Sequence, residues 1–188
     1  AYPVHEDGSF VWVWPGEPNL APLRPPPRLP WLSDSGWATF GDAWETAASL
    51  HLMHDNFADI SHVPFLDPEI APPALVGVTP PPLNVSVSET TVSFHREFPS
   101  APMAPWQAAL LRIPPDAAHE HREEGGFVSP GVWVDRWDIT VTGHGDSDGV
   151  HSFVFSHALT PVDDTTTRHV WRVSRNFGLH PATEGTLV

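Results

Sequence analysis

Apolar and polar positions alternate with a period of two along most of the chain, the pattern of half-buried strands. Phe10, Trp12 and Trp14 alternate with Val11 and Val13. Asp7-Gly8 is a tight-turn pair, so residues 3–14 read as a β-hairpin. Residues 15–35 carry seven prolines and predict an irregular surface crossover. A short strand is expected over Trp37–Gly41. Asp42-Ala-Trp-Glu45 has capping-box spacing and predicts a helix over 43–60 that Pro64 stops. A second Pro-rich loop, 71–82, precedes strands at Asn84–Ser88 and Thr91–Phe98, with a turn at Glu89-Thr90. Residues 106–113 fit a helix or a strand. Strands are expected over 131–142, 150–161 and 165–177, joined by Gly/Asp-rich turns. One main helix and at least five strands paired as hairpins define an antiparallel α+β class.

Composition narrows the chemistry. Nine Arg, no Lys and 23 acidic residues give a formal charge of −14. Clustered positive charge is missing, which excludes a nucleic-acid or anionic-membrane surface. The chain has no cysteine, so a metal within it must sit on His, Asp or Glu, and it holds no Cys-ligated cluster. No apolar run reaches membrane-spanning length and no signal peptide is visible. The chain starts without Met and inside a strand pattern, so it reads as a piece of a longer protein.

The segment His54-Asp-Asn-Phe-Ala-Asp-Ile-Ser-His-Val-Pro-Phe-Leu-Asp67 is the densest cluster of ligating side chains. On a helix, Asn56, Asp59 and His62 share one broad face. His62 and Asp67 are five apart and converge only if Pro64 bends the chain between them. Two readings stand side by side. The cluster binds a metal, or it caps a helix end and satisfies backbone groups.

The run Asp55-Asn-Phe-Ala-Asp-Ile-Ser-His-Val-Pro-Phe-Leu66 resembles the iron-site helix of the Rieske non-haem iron oxygenases, in the branch of vanillate O-demethylase, dicamba monooxygenase and phthalate dioxygenase. Two further stretches agree in order. Tyr2-Pro-Val through Val11-Trp-Val-Trp14 is similar to the last strands of a Rieske domain. His157-Ala-Leu-Thr-Pro161 through Arg175-Asn-Phe-Gly178 is similar to late catalytic-domain strands. The resemblance implies a curved antiparallel sheet wrapped around helices, with residues 1–14 ending a Rieske domain, 15–36 a linker and 37–188 the catalytic domain. It implies Fe(II) in a facial triad that leaves positions open for O2. It further implies electrons from a [2Fe–2S] cluster in the neighbouring subunit of a homotrimer, fed by a reductase or ferredoxin, in a cytoplasmic protein.

By motif position His62 is then the first iron ligand, Asn56 a polar neighbour of the iron, and Asp59 the bridge from the cluster. Asp67 stands where the family has a second His, and a carboxylate suits ferrous iron. The family's third ligand and its cluster cysteines fall outside the chain, so the chain alone is not expected to turn over. His157 matches a substrate-contacting position. Arg136 lies in an otherwise apolar strand and would either clamp an aromatic carboxylate or pair with Asp135 or Asp138.

The expected activity is hydroxylation or O-demethylation of an aromatic compound. The rival from another class is a metal-free hydrophobic ligand-binding module of the same fold. A third is a metal hydrolase using His62. His119-Glu-His121-Arg-Glu123 reads as a polar excursion, and Asp146-Ser-Asp148-Gly149 as a hairpin turn that lacks the later Glu of a calcium loop.

Overall fold

Strand-forming alternation governs most of the polypeptide, and pairing in the computed structural model follows it. The structure describes residues 1–7, 9–66, 68, 71–77 and 79–179. Strands β1 (Val4–Asp7) and β2 (Phe10–Val13) form the N-terminal hairpin. The crossover that follows is irregular apart from two short 3₁₀ turns, Pro18–Leu23 and Pro30–Leu32. Then come β3 (Ala38–Thr46), helix α1 (Leu50–Ala58), the short helix α2 (Val63–Leu66), β4 (Asn84–Val87) and β5 (Thr91–Pro102). Helix α3 (Pro105–Leu111), β6 (Ala118–Val128), β7 (Val132–Val141), β8 (Gly149–Pro161) and β9 (Thr167–Arg175) complete the described elements. Strands β3 to β9 make one seven-stranded antiparallel sheet in the order β3-β9-β8-β7-β6-β5-β4. The class is α+β. No helix among the described residues is long and apolar enough to cross a membrane.

Each inner strand has two faces. On one, α3 packs with Met103, Ile139, Val141 and Phe177 into a core, and Phe98 packs on Trp137 beside Ala74 and Leu75. Helix α1 lies over the other end of this same face. On the opposite face, Phe10, Leu29 and Leu32 from the hairpin and crossover cover Val134, Ala158 and Val170.

Two expectations change. The helix does not begin at 43. Residues 38–46 pair in unbroken register with β9, and Trp44 packs on His169 and Trp171. That pairing outweighs the local capping signal, and the helix starts where Ser49 Oγ accepts from the Leu52 N–H at 3.3 Å. Its end moves to Ala58. Ser49→Ala is expected to cost about 1 kcal/mol, read as a lower urea midpoint. The second change is at His119–Glu123, which is no excursion but the body of β6. The 106–113 ambiguity resolves as α3.

Candidate functional site

Helix α1 ends at Asp59, whose backbone leaves helical space at φ −114° and ψ 92°. The Asp59 side chain accepts from the Ser61 N–H at 2.9 Å and so caps a one-turn 3₁₀ helix, Ile60–His62, which runs into α2. Hydrogen bonds from Ser61 hold the Asp59 carboxyl below the usual carboxylate range. His62 Nδ1 contacts the carbonyl oxygen of Asp59. A carbonyl only accepts, so Nδ1 carries a proton, and in the neutral ring Nε2 is the nitrogen with the lone pair. The capping reading is therefore realised in these bonds, and the ring nitrogen a metal needs is left unspent. A backbone partner on the other ring nitrogen is the usual support of a metal-binding histidine.

His62 thus presents one ring nitrogen that no hydrogen bond among the described residues occupies. Asp59 and Asn56 are exposed and His62 is half-buried. Asp67 lies outside the described residues. Among the described residues, no three His, Asp or Glu side chains converge on one point.

The inward side of α1 ties this segment to the sheet. His54 Nδ1 accepts from the Trp133 indole N–H at 2.9 Å. Phe57 lies 4.3 Å, centroid to centroid, from His157 and 5.6 Å from His169. His157 Nδ1 and His169 Nε2 are 3.0 Å apart, one donating and the other accepting. Burial, with His169 as a second cause, pushes the His157 pKa down to about 3, and burial lowers that of His169. Both rings are neutral at pH 7. Phe155 stacks parallel to His157 and continues into a pocket lined by Trp106, His121, Trp137, Ile139 and Phe153. His157 and the iron-candidate helix are thus brought together through Phe57, one residue type that spacing alone did not single out.

Arg136 makes the ion pair with Asp138, its alternative reading. Its neighbour on the same side of β7 is Val134, under the N-terminal hairpin, whereas Trp133, opposite His157 in the register, faces α1. Arg136 Nε donates to Asp138 Oδ1 at 2.8 Å, and Nη2 to Ser152 Oγ at 3.1 Å. It lies on the face covered by the hairpin, opposite the one His157 uses.

Sequence reasoning missed the inner face of β6. His119, His121 and Glu123 are buried, Glu123 completely, and Arg96 Nε donates to Glu123 Oε2. The signal was the strict alternation of these three with Glu120, Arg122 and Glu124. Every position in it is polar, so hydrophobic periodicity had nothing to mark the buried side.

Comparison with known proteins identifies the class as the C-terminal catalytic domains of Rieske oxygenases. It belongs to the family of vanillate O-demethylase oxygenase C-terminal domains, whose model matches residues 46–186. The vanillate O-demethylase oxygenase subunit of Pseudomonas sp. (strain ATCC 19151) is 26% identical over 196 residues, covering 94% of this chain. This chain spans 55% of that relative's length. The crystal structure of dicamba monooxygenase bound to 3,6-dichlorosalicylic acid superposes with a TM-score of 0.81 at 21% identity, over 99% of this chain and 54% of that one. Dicamba monooxygenase with non-heme iron and dicamba gives 0.74 at 20% identity, over 99% and 52%.

Proposed function

We propose that this chain is the iron- and O2-using catalytic portion of an oxygenase that O-demethylates or hydroxylates an aromatic compound. The observation that carries the reading is His62 Nε2, left with a free lone pair on a segment whose Phe57 packs against the neutral pair His157–His169. Membership of the vanillate O-demethylase family and the iron in the related dicamba monooxygenase support it. Fe(II) held there would supply O2 activation. His62 donates one nitrogen, and Asp67 is the proposed second donor, a hard oxygen suited to ferrous iron. Asp59 keeps a stabilised, exposed carboxylate three residues from His62, placed to meet a neighbouring subunit and relay its electrons. Asn56 adds a polar group on the same exposed side.

His157 is the proposed substrate contact. Its partner His169 holds the ring orientation, and Phe57 and Phe155 pack beside it on the same side of the sheet. Electrons would come from a reductase or ferredoxin through a [2Fe–2S] cluster in the partner subunit of a homotrimer, with residues 1–14 closing the cluster domain.

The test uses the protein extended to include the cluster domain and the third ligand: anaerobic Fe(II) loading, followed by metal analysis and by O2 uptake with a methoxybenzoate and an electron donor. About one iron per chain beyond the cluster iron, and formaldehyde release, are expected. A protein that takes up no iron but binds the aromatic compound is the metal-free ligand module instead.

A further inference from the structure

Helix α1 is nine residues long and buries one apolar side chain, Met53. A helix this short owes its place to what it packs on and not to its own propensity. Two further residues, His54 and Phe57, stand three apart on one face of it. They meet a single cross-strand pair of the sheet, Trp133 of β7 and His157 of β8. Phe57 lies against His157, a ring contact with no fixed direction. His54 makes the directional contact. Its ring is 5.1 Å from Phe127 and 6.1 Å from Trp133, centroid to centroid, and its Nδ1 takes the Trp133 indole N–H at 2.9 Å.

An indole nitrogen only donates. Nδ1 of His54 therefore presents its lone pair, and the neutral ring carries its hydrogen on Nε2. A proton added to Nδ1 would set two N–H groups head to head and end the bond. The contact thus belongs to one charge state of His54 alone, and the surroundings favour that state. Burial and the field of His51 disfavour a positive ring, Asp55 and the Pro130 carbonyl favour one, and the balance lies below the usual histidine range. Phe127 and Trp133, the rings packed on it, carry no charge.

We propose that His54 is a positioning residue: its neutral ring latches α1 to Trp133 and so fixes the turn carrying Asp59 and His62 relative to His157, and protonation of the ring opens the latch. The connection is short. His54 is five residues before Asp59, which ends α1 and caps the next turn, and Trp133 stands directly opposite His157. The iron-candidate segment and the proposed substrate contact therefore hang on the two partners of one strand pair. Groups misplaced by about 1 Å lose about 100-fold in rate, so a bond that fixes this helix acts on turnover without touching metal or substrate. The effect on turnover rests on the oxygenase reading above; the latch itself does not.

The latch is tested on the 188-residue chain without iron. The Trp133 indole N–H resonance, identified by its loss in Trp133→Phe, is expected downfield at pH 7.5 and should move upfield as acid titrates His54. His54→Phe keeps a ring against Phe127 but offers no acceptor. The resonance should then lie upfield at every pH, and the hydrogen-exchange protection of the α1 amides should fall about tenfold. His54→Asn hangs an uncharged oxygen on Cγ where Nδ1 was, and should restore protection and abolish the pH dependence of the resonance. An indole resonance unmoved by acid and by His54→Phe overturns the bond. Unchanged α1 protection in His54→Phe overturns the positioning.

The consequence for turnover is tested on the extended, iron-loaded protein with its electron donor and a methoxybenzoate. His54→Phe is expected to lower kcat about tenfold with iron content and KM near the wild-type values, and His54→Asn to recover kcat and shift the acid limb of the pH profile to lower pH. An acid limb identical in His54→Asn and wild type overturns the link from latch to site. A wild type that consumes no O2 sinks the oxygenase reading alone, since resonance and exchange still decide the latch.

Discussion

Replacing His62 by alanine is expected to strip the chain of iron while leaving it folded. Among the described residues the ring bonds to the Asp59 carbonyl, at a half-buried position outside the packed core. Losing it should change stability by less than about 0.5 kcal/mol. The loss at the metal is of another order, because each protein ligand removed hands its place to water. Metal analysis after anaerobic loading and desalting should find under a tenth of the wild-type iron, with the thermal melt unchanged. Asp59→Asn makes the contrast. Asparagine also caps a helix start, so the turn that presents His62 survives, and iron retention should stay near the wild-type level. With Asp59 as the proposed relay, what falls is the turnover of the extended protein, because the carboxylate proposed to bridge donor and iron is gone. Iron lost in Asp59→Asn as completely as in His62→Ala would show that Asp59 acts on the metal and not on electron entry.

Acid is expected to unfold this protein earlier than its core alone would suggest. In the unfolded chain His157 and His169 take up protons near pH 6.5. In the folded chain His157 resists protonation down to about pH 3. The unfolded state thus binds more protons in this window. Stability is full above pH 6.5 and falls as the pH drops from there toward 3, by about 1.4 kcal/mol per pH unit for each such histidine. His54, His119 and His121, also lowered by burial, act in the same direction. Glu123 and Asp135 act oppositely, because their raised pKa values make the folded state the better proton binder toward pH 4. The difference between variants isolates one group. In His157→Phe, which keeps the aromatic packing on Phe57, the decline between pH 6 and 4 should be shallower by that same 1.4 kcal/mol per unit. Urea midpoints at pH 7, 6, 5 and 4 measure it, and parallel curves would show that His157 is protonated in the fold.

Much of this architecture can be read from the residues. The hairpins at Glu89-Thr90 and 143–149 fall where turn chemistry puts them, because short loops between alternating strands leave few other pairings. The iron-candidate segment stands out because ligating side chains are dense there. Helix α1 was misplaced at its start. Asp42 and Glu45 satisfy a local rule, yet pairing with Trp171 and Arg168 of β9, 129 and 123 residues away, decides their conformation. Arg136 shows the same limit from the other side. Its strand was recognisable, but which face it used depended on a one-residue register that only the neighbouring strands fix. The buried row on β6 was invisible for a chemical reason, since histidine and glutamate carry no mark that separates an interior position from a solvated one.

The hairpin and crossover cover the sheet face opposite α1 with Phe10, Leu29 and Leu32, and Arg172 lays its guanidinium on the Phe10 ring. These first residues are therefore a roof and not a tail. A version trimmed to begin at residue 37 would bare Val134, Ala158 and Val170 together, a greasy strip across three adjacent strands. Such a protein should come out of cells in inclusion bodies, and anyone shortening it for crystals would do better to keep the roof in place.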